Sequence, residues 1–338
     1  MTDPIEHGGN LDMAISSYGG ARENWCDLST GINPLAYPFT APSADSLTRL
    51  PDRHDIDRLE KAAASYYQPG DASDILAVAG AQTGLSLLAP FLAEKLAQEH
   101  SATPAVAILS PTYNEYARCF ARAGMAVSEV TDIDALYGAE LAVICAPNNP
   151  TGTQIGTDAL AEIARHADMV LLDESFADVA DTPLYCAETL PAENIICLKS
   201  FGKFFGLAGV RLGFVISTPD YISALRNAVG PWPVSGMAIE IATQAFADSR
   251  WHKDTCVRLR QLSQEMDEMA ISAGLSLAGG TPLFRLYHCA DARALQHHLA
   301  QHHIWTRCFS YAPEWIRLGI MPPDHMPRLA SAFASWPD

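Results

Sequence analysis

Positive charge is scarce in this sequence. Its 338 residues carry 22 Lys and Arg against 39 Asp and Glu, a formal net charge of −17. That balance argues against nucleic-acid partners and against binding to an anionic membrane, both of which need a basic footprint. It also means that any site for an anionic ligand must be a local basic pocket set in an acidic background. No apolar stretch is long enough to span a bilayer. The first residues, MTDPIEHGGN, lack a basic segment followed by an apolar run, so no signal peptide is expected and the chain reads as cytoplasmic. None of the eight cysteines belongs to a C-x-x-C pair; Cys145 and Cys197 sit inside apolar runs and read as reduced core thiols. There is no G-x-G-x-x-G fingerprint and no Walker A sequence, so dinucleotide and nucleoside-triphosphate readings lose their signature.

What is present is an alternation of short apolar runs and helical stretches. Apolar residues make up 49% of the chain, enough for a large domain and a smaller one. Strands are expected at 75–80, 105–109, 125–130, 141–146, 169–173, 194–199 and 212–217, with helices at 59–67, 81–100 and 157–166 among them. This pattern predicts an α/β fold with a mostly parallel sheet covered on both faces. Gly230-Pro-Trp-Pro233 breaks the chain. The expected organisation is an N-terminal arm over 1–45 that is part of the small domain and covers the substrate, a large domain over 46–229 and a small α+β domain over 230–338 that opens on a long helix from about Ser235 to Ala273. Four histidines (297, 298, 302 and 303) near one helix have no acidic or cysteine partner in the sequence and read as a solvated face, so no metal is expected.

The stretch richest in chemistry is Ser200-Phe-Gly-Lys203-Phe-Phe-Gly206-Leu-Ala-Gly209-Val-Arg211-Leu-Gly213. Lys203 stands among aromatics, where desolvation favours a neutral, imine-forming amine. Ser200 and Arg211 read as an anion clamp beside it, and the glycines at 202, 206, 209 and 213 are expected to admit something bulky to the backbone. The small-residue turn before Ala81 and Gln82 puts backbone N–H groups at a helix start, a second seat for an anion. Tyr113, Asn149 and Asp173 each follow or end an apolar strand, where α/β ligands bind. Asp173 at the end of a buried strand needs a cation or a donor. A lysine, a phosphate clamp and a buried acid facing a flat ring together point to pyridoxal phosphate, with Tyr113 stacked on the ring, Asn149 donating to its phenolate oxygen and Asp173 holding its nitrogen.

The order Gly80-Ala-Gln-Thr83, Pro111-Thr-Tyr113, Asn148-Asn149-Pro-Thr-Gly152, Asp173-Glu-Ser-Phe176, Ser200-x-x-Lys203 and Arg211 resembles the fold-type-I pyridoxal phosphate enzymes of the class I/II aminotransferase group. The match spans essentially the whole chain and implies the aspartate aminotransferase fold. Within that group, His7-Gly-Gly-Asn10, Ser29-Thr-Gly-Ile-Asn33-Pro-Leu, Pro231-Trp232-Pro-Val and Asp-Glu-Ser-Phe176 resemble the threonine-phosphate decarboxylases of cobalamin biosynthesis. The histidinol-phosphate aminotransferases are near relatives, and usually carry tyrosine where Phe176 stands. The resemblance implies that Lys203 holds the cofactor and that Arg317 grips a substrate carboxylate. It implies that Arg307, His7, Gly8 and Asn33 lie at the substrate phosphate, with Asn149 also on the substrate side. It further implies a homodimer. Leu50 stands where the family often has tyrosine, and Gly202 where serine or threonine often precedes the lysine. Three readings follow: decarboxylation of L-threonine O-3-phosphate to (R)-1-amino-2-propanol phosphate, transamination of the histidinol-phosphate type, and cofactor binding without turnover.

Overall fold

The computed structural model describes residues 8–70, 74–100, 103–180 and 193–337. They form two compact units. One comprises Tyr37–Asn149 and Thr153–Ser249, the other Met1–Ala36, Pro150–Gly152 and Arg250–Asp338.

The larger unit is built on a seven-stranded sheet in the order Asp74–Val78, Gly213–Ser217, Ile195–Ser200, Met169–Asp173, Leu141–Cys145, Ala105–Leu109, Ala126–Val130. Gly213–Ser217 runs antiparallel to both neighbours, and the remaining pairings are parallel. The strands Leu141–Cys145, Met169–Asp173 and Gly213–Ser217 are buried at every position, as a sheet covered on both faces requires. On one face Leu85, Leu88, Leu92 and Leu96 of the Ala81–His100 helix recur at helical spacing and pack on Val143, Leu171, Leu198 and Val215. An aromatic cluster forms a separate part of this unit, with Phe201 stacked on Phe205 at 4.5 Å and Tyr67 set edge-on to Phe214 at 5.8 Å.

The Arg53–Tyr67 helix begins six residues before the predicted start, because Asp52 and Asp55 form a reciprocal capping box. From this helix Glu60 accepts from the Ala77 amide at 3.1 Å and from Arg226 Nη1 at 2.9 Å, while Arg226 Nη2 donates to the Ile75 carbonyl at 3.0 Å. The edge strand is thereby pinned by a buried carboxylate whose pKa burial raises.

The unit boundaries differ from the domain limits expected at 45/46 and 229/230. The 40–43 segment is tied to the Gly236–Ala247 helix, with Thr40 N–H donating to Gln244 Oε1 at 3.0 Å and Ser43 N–H to Glu240 Oε2 at 2.7 Å. Both segments therefore belong to the larger unit. The single long helix expected from Ser235 is two, Gly236–Ala247 and Ser249–Ser272, interrupted at Asp248, a residue type weak in helix interiors.

The smaller unit holds a four-stranded antiparallel sheet in the order Arg307–Phe309, Ala312–Gly319, Phe284–His288, Ser276–Thr281. The strand expected near 304–308 divides at Thr306. Ile304–Trp305 pairs in parallel with Cys26–Asp27, and Arg307–Phe309 joins the sheet. All four histidines have partners within this unit: His298 Nε2 lies 2.8 Å from the Ala332 carbonyl, His297 Nδ1 3.0 Å from Tyr18 Oη, the His302 ring 5.0 Å from the His298 ring and the His303 ring 4.9 Å from Trp25. Among the described residues no helix is long and apolar enough to cross a membrane.

Candidate active site

The Ile195–Ser200 strand runs straight into a single helical turn, Phe201–Phe204, which carries Lys203. The Lys203 side chain is half-buried, with Nζ 5.5 Å from the centre of the Phe176 ring. The loop glycines work differently from expectation. A Cβ on Gly202 would lie 2.7 Å from Ala208 Cα, and one on Gly213 would lie 2.6 Å from the Ala81 nitrogen and 2.8 Å from the Lys199 carbonyl oxygen. What approaches these two glycines is the chain's own backbone, and this accounts for Gly202 where serine or threonine is common in the family. Gly206 supplies a turn at φ 66°. Gly209 faces open space.

Arg211 sits in the left-handed region at φ 57°, ψ 62°, a conformation costly for a residue with a side chain. Its guanidinium Nη1 donates to the Ala208 carbonyl at 3.1 Å, and Nη2 lies where a Cβ on Gly80 would be 2.7 Å away. Gly80 itself adopts φ 99°. The guanidinium therefore lies against the start of the Ala81–His100 helix, whose first-turn N–H groups and dipole favour an anion. Ala81, Gln82, Ser200 and Arg211 converge there on one cavity.

Asp173 lies on another wall of that cavity. Oδ2 accepts from Tyr116 Oη at 2.6 Å and Oδ1 from the Ser175 amide at 2.8 Å. Burial raises the Asp173 pKa, while the bonds from Ser175 and Tyr116 and the charge of Lys203 oppose the rise. Tyr116, fully buried in the Glu115–Arg122 helix, is a site residue that sequence reasoning missed. Its only signal is the three-residue step from Tyr113, a spacing that on a helix sets two side chains on one side. The two rings meet edge to face at 5.6 Å, and Tyr113 Oη donates to Gln82 Oε1 at 3.1 Å. Burial pushes the Tyr113 phenol up to about 12. Cys145, paired in register with Asp173, also lines the cavity, its thiol pushed up to about 12 chiefly by burial. Asn149 is half-buried on the same wall. The neighbouring Asn148 is fixed by Thr112 Oγ1, which donates to its Oδ1 at 2.7 Å, and by its own donation to the Pro111 carbonyl at 2.9 Å. The structure thus brings Ala81, Gln82, Tyr113, Asn149, Asp173, Ser200, Lys203 and Arg211 around one cavity of about 260 Å³.

The remaining predicted residues lie in the smaller unit, except His7, which is outside the described residues. Arg307 and Arg317 are cross-strand partners. Arg317 is buried and donates from Nη2 to the Ser29 carbonyl at 2.5 Å. Burial, and then the charge of Arg307, push its pKa down to about 10. Gly8 lies so close to Ser29 that a Cβ would come within 2.3 Å of its carbonyl oxygen. Asn33 is buried and accepts from the Leu35 amide at 2.8 Å. Leu50, in the larger unit, is 62% exposed.

A lysine on the turn after one strand, an acid at the end of the next and an arginine at a helix start make this a cofactor-type site in a sheet of fold-type-I topology. Residues 26–333 match the family described as aminotransferase class I and II, and the chain belongs to that family. At finer grain, it is 40% identical over 95% of its length to a threonine-phosphate decarboxylase from Sinorhizobium sp., covering 95% of that protein. It is 34% identical to the threonine-phosphate decarboxylase of Pseudomonas aeruginosa, over 95% of this chain and 94% of that one. In fold it is similar to the histidinol-phosphate aminotransferase of Sinorhizobium meliloti solved in complex with pyridoxal-5'-phosphate, with a TM-score of 0.77 at 21% identity, covering 98% of this chain and 94% of that one.

The residues present fit pyridoxal phosphate. The buried Asp173 carboxylate, raised in pKa by burial, suits a protonated ring nitrogen. The Arg211 guanidinium beside the Ala81 helix start suits a phosphate. Lys203 is the one lysine among the residues lining the cavity.

Proposed function

We propose that this chain is a pyridoxal phosphate-dependent carboxy-lyase that converts L-threonine O-3-phosphate to (R)-1-amino-2-propanol phosphate and carbon dioxide. The observation that carries the reading is the 40% identity to a threonine-phosphate decarboxylase across 95% of both chains, a span that includes both the lysine cavity and the paired arginines. When bound, the cofactor draws the electron pair of a bond broken at the substrate α-carbon into its ring. Lys203 is the amine that holds it, and afterwards the group that returns a proton to the α-carbon. Asp173 keeps the proton on the ring nitrogen. Ala81, Gln82, Ser200 and Arg211 bind its phosphate, Tyr113 covers a ring face and Asn149 donates to the ring oxygen. Phe176 presents no hydroxyl there.

Arg317 and Arg307, with His7, Gly8 and Asn33, are assigned to the substrate's carboxylate and phosphate. Paired guanidiniums suit two anions, because each binds with parallel hydrogen bonds. Which bond at the α-carbon breaks depends on posture, and gripping both anions is the means of setting it. On the family resemblance, the reading extends to a cytoplasmic homodimer acting in cobalamin biosynthesis, with the N-terminal arm covering the substrate. The test is to mix purified holoenzyme with L-threonine O-3-phosphate in the absence of any keto acid. Stoichiometric carbon dioxide is expected. No release, together with amino transfer from histidinol phosphate, overturns the reading in favour of the aminotransferase.

Tyr116 gives a smaller, local prediction. In Tyr116→Phe the ring still fills its place, but Asp173 loses its 2.6 Å donor. A hydrogen bond to a charged group contributes about 1.5–3 kcal/mol, so turnover should fall by roughly tenfold or more, with some loss of melting temperature from the same bond. Unchanged kcat and cofactor affinity would remove Tyr116 from the site.

A further inference from the structure

Behind Asp173 and Ser200 lies a second set of charges that the proposed reaction does not use. Successive residues of a strand face opposite sides. Asp173 and Ser200 line the cavity, and their neighbours Glu174 and Lys199 meet each other instead, with Lys199 Nζ 2.5 Å from a Glu174 carboxylate oxygen. Both side chains are fully buried, at 1% and 0% exposure. Cys197 Sγ donates to the same carboxylate at 3.3 Å, the Tyr67 ring lies 5.0 Å from Lys199 Nζ, and Glu174 N–H donates to the Leu198 carbonyl at 2.9 Å. Asp178 is also buried and feels the charge of the same ammonium; burial pushes its carboxyl up to about 7.

A buried ion pair of this depth contributes no net stability over a well-packed apolar pair, because desolvating both ions offsets their attraction. Its effect is directional. The pair joins two adjacent strands one residue after Asp173 and one residue before Ser200, four before Lys203. We propose that Lys199 is a positioning residue of the active site, whose ion pair with Glu174 fixes the two strand ends that present Asp173 and Lys203 to the cavity. This rests on the reading that those two residues hold the cofactor. Lys199 itself points away from the cavity and takes no part in the chemistry.

The experiment compares wild type, the double variant Lys199→Met/Glu174→Gln and the single variant Glu174→Gln. For each, the melting temperature, the affinity for pyridoxal phosphate by absorbance titration, and kcat and KM for L-threonine O-3-phosphate are measured. The double variant leaves no unpaired charge from the pair, and Asp178, whose carboxyl pKa is raised by burial and no longer held down by Lys199, takes the neutral form, so its melting temperature should stay near wild type. Its cofactor affinity should fall about tenfold and its kcat by about 10²-fold, the scale of a small misplacement at a reacting centre, with KM changing less than about threefold. A double variant that melts, binds cofactor and turns over as wild type overturns the proposal, since the cluster then serves the core alone. Glu174→Gln leaves Lys199 its second carboxylate and is the independent arm if the double variant does not fold. It should retain its fold and lose at least about threefold in cofactor affinity, a loss again of misplacement; unchanged affinity and visible spectrum overturn the proposal. A wild-type protein that binds cofactor without releasing carbon dioxide overturns the proposed substrate, and the affinity arms then decide this inference alone. A wild type that binds none overturns both.

Discussion

Replacing Lys203 by alanine is expected to remove both the covalent hold on the cofactor and the proton donor at the α-carbon. General acid–base catalysis by one group contributes about 10²–10⁴-fold, so the loss in kcat should be at least about 10³-fold once covalent attachment is lost as well. The residues lining the cavity include no substitute amine. Lys199, four residues earlier, is fully buried against Glu174 and directed to the other side of the strand. Arg211 is committed to the Ala208 carbonyl and the helix start. Alanine is a strong helix former and fits the single helical turn at this position, so the melting temperature of the cofactor-free protein should change little. The direct measurement is borohydride reduction followed by mass analysis: wild type should carry one reduced cofactor on the peptide containing Lys203, and Lys203→Ala none. A variant that still carries a reducible cofactor would place the attachment on another residue.

The strand ends are legible in the sequence because each breaks a local rule. Leu141–Cys145 and Met169–Asp173 belong to apolar runs that lead into polar residues, and a polar group at such a position needs a partner. That exception marks Asp173, Asn149 and Ser200 from the residue order alone. Residues that support the site from behind break no such rule. Tyr116 reads as an ordinary core residue of an amphipathic helix, and only the fold turns its hydroxyl onto Asp173. Lys199 and Glu174 look like flanks of their neighbours, because a strand covered on both faces shows no alternation from which to judge where a charge goes. The glycines of the lysine loop suggest room for a ligand, whereas Gly202 and Gly213 make room for Ala208, Ala81 and Lys199; spacing along the chain cannot say what lies across a turn. The 40–43 segment and the Gly236–Ala247 helix are far apart in sequence, and their pairing, which moves the unit boundaries, is a tertiary fact.

Asp173→Asn tests the electrostatic half of the site and should separate stability from activity. The substitution keeps the shape and an acceptor for Tyr116 or for the Ser175 amide, but removes the charge. Breaking a buried charge pair by removing one partner costs about 3–5 kcal/mol, so activity should fall by roughly 10²–10⁴-fold. Cofactor-free protein should behave in the opposite sense. The folded-state pKa of Asp173 is raised by burial, so the native state holds its proton to higher pH than the unfolded chain does. Its ionisation therefore costs stability as pH rises from the ordinary carboxylate range through the raised folded value. Asparagine lacks that penalty, and cofactor-free Asp173→Asn should melt at or above wild type near neutral pH, with the difference shrinking in acid. Turnover adds a second signature. Without the carboxylate, the proton on the ring nitrogen must come from solution, and its occupancy rises up to about tenfold per unit fall in pH for a group of low pKa. The variant's kcat should therefore gain on wild type as the medium is acidified. Equal pH profiles for the two proteins, or a variant as active as wild type, would show that the Asp173 charge is not what holds that proton.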